Sequence, residues 1–144
     1  MTGRAAFTDE EWELLREAPA TAGLIVLTAE GGGTFRETFA LASAYTEARK
    51  RHGESELLDE LVAAGPKSGG HFHTKDEVRK QGLEQLREAG ALLRSKATPE
   101  DAERYRAFVS SLAERVAEAH KEGGQEVSER ERAVLGEIEA SLAA

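Results

Sequence analysis

Apolar residues recur along this chain at intervals of three and four, the spacing that lines one face of an α-helix. After Thr8 come Trp12 and Leu15; after Thr34 come Phe35, Phe39, Ala42 and Tyr45; after Thr74 come Val78, Leu86 and Leu93. The longest stripe runs Ala102, Tyr105, Phe108 or Val109, Leu112, Val116 and Ala119, and a last one carries Val134, Leu135, Ile138 and Leu142. Two shorter segments complete the set, one opened by Pro19 and running through Ile25, the other from Ser55 through Leu58 and Leu61 to Ala64. No stretch alternates apolar and polar residues as a half-buried strand does, and no Asn-Gly or Asp-Gly hairpin turn occurs. The pattern predicts an all-α protein of about seven helices in a single compact domain.

Start marks agree with the periodicity. A Ser or Thr followed three residues later by Glu is a capping box, in which each side chain satisfies a backbone N–H orphaned at a helix start. The pairs are Thr8–Glu11, Thr34–Glu37, Thr74–Glu77 and Ser128–Glu131, and Thr98 adds a fifth start with Pro99 at the first helical position and Asp101 in place of Glu. Connections are short except for GPKSGGHFH, residues 65–73, the segment expected to be most mobile. The basic run Arg49-Lys50-Arg51-His52 precedes Gly53 at the end of a periodic segment, where cations favour the negative pole of a helix.

The chain also echoes itself. EGGGTFRETFALASA from Glu30 resembles EGGQEVSERERAVLGEI from Glu122: Glu-Gly-Gly, a capping hydroxyl, then Arg and Glu at matching offsets. The later copy is two residues longer before its cap. We read a helix–turn–helix unit used twice, over about residues 9–50 and 102–143, linked by 53–97, giving two quasi-symmetric halves.

Composition narrows the function classes. At 144 residues, the chain is long enough to bury a core without a staple, and its 32% charged and 40% hydrophobic residues are those of a folded helical protein. It has no cysteine, which leaves any metal to His, Asp and Glu. A formal net charge of −8 repels nucleic acid and anionic lipid, and no apolar run approaches the ~20 residues needed to span a bilayer. With no apolar leader at its start, the expected location is the cytoplasm.

Three constellations invite chemistry. EGGGTFRE, residues 30–37, has the glycines of a phosphate loop but neither the preceding strand nor the Gly-Lys-Ser/Thr. It does offer hard oxygens for a divalent cation through Glu30 and Glu37, although a Glu37 that closes its capping box is committed to the backbone, where it stabilises by about 1 kcal/mol. The plainer reading makes the glycines a turn. His71-Phe-His73 is the second candidate, since two imidazoles in an extended loop can share a zinc ion if a third ligand, such as His52 or His120, comes near. Otherwise these are solvated residues at a helix entry. For nucleophilic or carboxylate catalysis no motif is present; pairs such as Glu84–Glu88 and Glu100–Arg104 read as solvated helix faces.

The doubled acidic corner resembles the tellurite-resistance TerB-like domains, whose motif reads Asp-Gly, two spacers, Ser or Thr, two spacers and Glu. Glu30-Gly31, Thr34 and Glu37 stand in those places, with Glu for Asp, and Glu122-Gly123, Ser128 and Glu131 repeat them across a longer loop. The resemblance implies an all-helical, two-halved, non-enzymatic cytoplasmic module associated with stress, binding a divalent cation such as Ca²⁺ or Zn²⁺, or a basic protein partner. Its metal residues are then Glu30, Glu37, Glu122 and Glu131. The alternatives are a metal-dependent, hydrolase-like enzyme built on His71 and His73, and a purely structural protein-interaction adaptor, a homo-oligomer if the 102–119 stripe serves a subunit interface.

Overall fold

Thr8 starts the first long helix as its spacing to Glu11 predicts. In the computed structural model, which describes residues 3–29, 35–51, 53–65, 74–122 and 129–143, the Glu11 N–H donates to the Thr8 hydroxyl oxygen at 3.1 Å and the Thr8 N–H donates to the Glu11 carboxylate at 2.8 Å. Side chains are described for these residues except 29, 35–41, 75, 119–122, 130 and 131. A 3₁₀ turn at Arg4–Ala6 leads into the helices found among the described residues: α1 (Asp9–Ala29), α2 (Phe35–Lys50), α3 (Glu56–Ala64), α4 (Lys75–Lys96), α5 (Pro99–Glu122) and α6 (Glu129–Ala143). No strand occurs among them.

The other described starts follow the same chemistry. Ser55 caps α3 by accepting from the Leu58 N–H at 3.2 Å, and Thr74 caps α4 by accepting from the Glu77 N–H at 3.1 Å. Thr98 caps α5 by accepting from the Asp101 N–H at 3.3 Å. Each such cap is worth about 1 kcal/mol. The expected caps Thr34–Glu37 and Ser128–Glu131 lie outside what is described. Gly65 ends α3 with a φ of 85°, a left-handed conformation that a glycine adopts without a Cβ penalty.

One expectation is corrected. Pro19 opens no helix of its own: α1 runs unbroken through it, so two expected helices are one and about seven become six. A proline inside a helix lacks the N–H that would bond the carbonyl four residues back, and ordinarily costs about 3 kcal/mol. That carbonyl is Leu15's, and the hydroxyl of Tyr105 on α5 donates to it at 2.7 Å. Tertiary structure supplies the donor that the local sequence withholds.

Every helix gives a large, fully buried side chain to one core: Leu15 and Ile25, Tyr45, Leu57 and Leu61, Leu86 and Leu93, Tyr105 and Leu112, Ile138 and Leu142. Burying a leucine-sized side chain contributes about 1.5–3 kcal/mol. The long stripe is spent here, since Ala102, Tyr105, Phe108, Val109, Leu112 and Val116 are all buried within the chain. Gly90 of α4 lets α6 approach so closely that an added Cβ would stand 2.3 Å from the Leu142 carbonyl oxygen. No helix among the described residues is long and apolar enough to cross a membrane.

Candidate functional site

Of the sequence-derived metal residues, Glu30, His71 and His73 lie outside the described residues, as does His52. Glu37 falls in the first turn of α2, Glu122 ends α5 and Glu131 falls in the first turn of α6, but their side chains, like that of His120, are outside the description. Among the described residues no three His, Asp or Glu side chains come together as metal ligands would.

The described contacts fix the directions of the helices that bracket these positions. Tyr105 reaches Leu15, and Lys96, just before α5, pairs with Glu11 at 2.6 Å. Therefore α1 and α5 run side by side in the same sense. Beyond that level they continue for roughly 21 Å and roughly 26 Å at 1.5 Å per residue, so Ala29 and Glu122 end near one height. Helix α2 runs the other way along α5, with Ser43 accepting from Arg115 at 3.1 Å and Tyr45 set edge-on to Phe108 at 5.1 Å between ring centres. Helix α4 runs antiparallel to α1: Gly82 faces Ile25, Gln85 donates to Glu17 at 3.3 Å, and Lys96 meets Glu11. The Leu142 carbonyl near the end of α6 accepts from Arg106 at 3.2 Å, and Glu137 pairs with Arg79 near the start of α4. Thus α1 and α5 end, and α2, α4 and α6 begin, at one pole of the bundle.

The opposite end is fastened by polar groups. Asp101, only 2% exposed, accepts from the Ser55 hydroxyl at 2.6 Å and from the Thr98 hydroxyl at 3.1 Å, so one buried carboxylate joins the caps of α3 and α5. A buried carboxylate is tolerable only when hydrogen-bonded in this way. Arg16 donates to the Ala64 carbonyl at 3.1 Å and Arg49 to the Val62 carbonyl at 3.3 Å, at the negative end of α3. Arg49 and Lys50 of the basic run fall in the last turn of α2, as the sequence suggested, and Arg49 reaches the end of α3 as well. Arg104, spaced to pair with Glu100, reaches Glu54 instead at 3.1 Å.

Three groups stand out electrostatically. Burial pushes the phenols of Tyr105 and Tyr45 well above the usual tyrosine range; the Tyr45 phenol adds to the effect at Tyr105, while Arg16 and Arg49 partly oppose it at Tyr45. The Tyr45 hydroxyl has no hydrogen-bond partner among the described residues. The Glu11 carboxyl is held below its usual value, first by the hydrogen bond from Lys96 and then by the Thr8 N–H.

Between α2 and α5 lies a groove of about 110 Å³ that no local sequence signal announces. Ala48, Leu58 and Phe108 line its floor, and Arg51, Arg104 and Arg115 stand with Glu47 and Glu54 at its rim. The three arginines come from distant positions, and only the antiparallel pairing of the two helices gathers them. Comparison of the chain with protein-family models, curated proteins and solved structures finds no match.

Proposed function

We propose that this protein is a non-enzymatic, cytoplasmic, stress-associated module of the TerB-like kind, whose two acidic inter-helix corners hold a divalent cation, Ca²⁺ or Zn²⁺, or a basic protein partner. Glu30, Glu37, Glu122 and Glu131 are its binding residues. The reading is supported by one observation above all: the ends of α1 and α5 and the starts of α2 and α6, which flank the two corners, share a pole. Two corners at opposite ends of a bundle would act separately. Carboxylates are the hard oxygen donors that a divalent cation takes.

Calorimetric titration of the metal-free chain with Ca²⁺ and with Zn²⁺ tests the cation version. Saturable heat is expected, reduced in Glu30→Gln and again in the Glu30→Gln, Glu122→Gln pair. Absence of heat together with an unmoved melting temperature sinks it, and a titration with oligolysine then tests the basic-partner version.

A second reading, a metal-dependent, hydrolase-like enzyme using His71 and His73, draws on the same observation, because α4, which follows those histidines directly, begins at the shared pole. His73→Ala separates the two. Loss of a bound transition metal favours the histidines, and its retention leaves the carboxylates.

A further inference from the structure

We propose that Arg4 is an autoinhibitory occupant, filling in cis a seat made by Trp12, Asp9 and Glu60 that an arginine of a basic partner segment takes when Arg4 swings out. The inference does not rest on the acidic corners, since it uses other residues, at the end of the bundle where α1 begins.

The occupant shows what the seat recognises. The Arg4 guanidinium stands 5.5 Å over the centre of the Trp12 ring, within reach of cation–π attraction, and donates to Asp9 at 3.0 Å. The Arg4 backbone N–H donates to Glu60 at 2.5 Å, so a carboxylate of α3 holds the main chain while the ring and Asp9 hold the side chain. Gly3 brings the main chain against Glu56 as well, since a Cβ there would stand 2.7 Å from the Glu56 carboxylate. An aromatic face with a carboxylate at its edge fits a guanidinium, whose plane stacks while its fork bonds, better than an ammonium.

The side chain is held lightly enough to leave. Its ion pair is open to water, with Arg4 47% and Asp9 93% exposed, and pairs of that kind contribute little. Ala5 and Ala6 are exposed and bury nothing, whereas Phe7 is buried beside Trp12 and Thr8 caps α1, so movement ends there. Next to the seat, an open trough between α1 and α3 continues along Glu13, Arg16, Glu60, Ala63 and Ala64, with Arg4 itself on its wall. Once Arg4 withdraws, Asp9, Glu13 and Glu60 outnumber Arg16, whose Nη2 serves the Ala64 carbonyl. A basic segment therefore meets further carboxylates beyond its first arginine, and a chain of net charge −8 draws it in.

Titration of the isotope-labelled full chain with capped hexa-arginine at fixed ionic strength, followed by NMR shifts, tests the proposal. Trp12 is the only tryptophan, so its indole N–H gives a single resonance that reports on the seat. Saturable shifts are expected at that indole and at the amides of Glu13, Glu60 and Ala63, weaker with hexalysine and absent with hexaglutamate. Arg4→Ala empties the seat and binds hexa-arginine about tenfold more tightly, the effect of losing one exposed cation–π contact and one exposed ion pair from the competitor. Adding Asp9→Asn reverses much of that gain while the helical circular dichroism is kept. Equal binding by the parent and Arg4→Ala, or hexalysine binding as tightly as hexa-arginine, overturns the proposal. Shifts confined to residues 30–37 and 122–131 overturn it too and place the basic partner at the acidic corners, whereas shifts at the seat with none at those residues uphold it and count against a basic partner at the corners.

Discussion

Replacing Tyr105 by Phe removes one oxygen from the core and leaves the ring that packs there. In this fold that oxygen is the donor for a carbonyl that cannot find one in its own helix, because position 19 is proline. Tyr105 and Leu15 are both 0% exposed, so no solvent reaches the Leu15 carbonyl once the hydroxyl is gone. A buried acceptor left unpaired costs about 1–3 kcal/mol. For a domain of this size that lowers the melting temperature by roughly 2–4 °C per kcal/mol.

The cost depends on Pro19, and that dependence is the sharper test. In Pro19→Ala the new N–H at position 19 is in register to donate to Leu15, so the carbonyl keeps a partner when Tyr105 loses its hydroxyl. Tyr105→Phe should then cost about 1 kcal/mol less than it does beside the proline. Urea unfolding of the four proteins, followed by circular dichroism and read at constant m, gives the coupling. Additivity within about 0.5 kcal/mol, the scatter of independent sites, refutes the claim that the tyrosine substitutes for the missing amide.

Four further outcomes follow from the packing and the titrating groups. Gly90→Ala should destabilise by about 1–3 kcal/mol, because its methyl meets backbone of α6, whereas Gly136→Ala, with open space around it, should stabilise by about 0.5–1 kcal/mol; equal urea midpoints for the two would contradict the close approach of α4 and α6. Asp101→Ala should cost about 2–4 kcal/mol through two orphaned hydroxyls and a weakened α5 cap, and Asp101→Asn less, as thermal melts can show. Both tyrosines of the chain are buried with raised pKa values, so the unfolded state alone ionises above about pH 10, and stability, complete below that, falls as pH rises through it. Absorbance at 295 nm should therefore appear in one step with unfolding, and phenolate in the folded chain would contradict the burial. Glu11, held low by Lys96, stabilises above the ordinary glutamate value of about 4.3 and loses that contribution as pH falls through its depressed value; Lys96→Met should destabilise at pH 7 and match the parent in acid.

What the sequence made legible was what chemistry within a few residues determines. Thr8, Ser55, Thr74 and Thr98 announce helix starts because cap and partner lie within one turn. The long stripe on α5 identifies itself as core because period and burial coincide. Pro19 misled for the same reason: its local meaning is a helix start, and the hydroxyl that lets it sit mid-helix belongs to Tyr105, 90 residues from the Leu15 carbonyl it serves. Asp101 was legible as a cap and illegible as a junction, since nothing near it points to Ser55. Helix-interior glycines such as Gly90 carry no sign of the neighbour they admit. The groove arginines were invisible as a set, and the basic run containing Arg51 drew attention only as a helix end. The candidate metal residues were found by a repeated motif, and a motif states spacing; it does not state which way the helices run.

Helix direction makes the acidic corners separable in experiment from the fastenings of the fold. The buried Asp101 junction, the Glu11–Lys96 pair and the arginines that cap α3 all lie toward the end where α1 and α5 begin. The acidic corners are bracketed by helix ends at the other pole, roughly 20 Å beyond the level of Leu15 and Tyr105. Substitutions there leave every one of those fastenings intact, and sites so far apart with no shared partner act on stability independently. A Glu30→Gln or Glu122→Gln variant that loses cation binding at an unchanged melting temperature of the metal-free chain thus reports on the corner itself. If either substitution also lowered that melting temperature, the cause would be the shared frame, and the corner assignment would not stand.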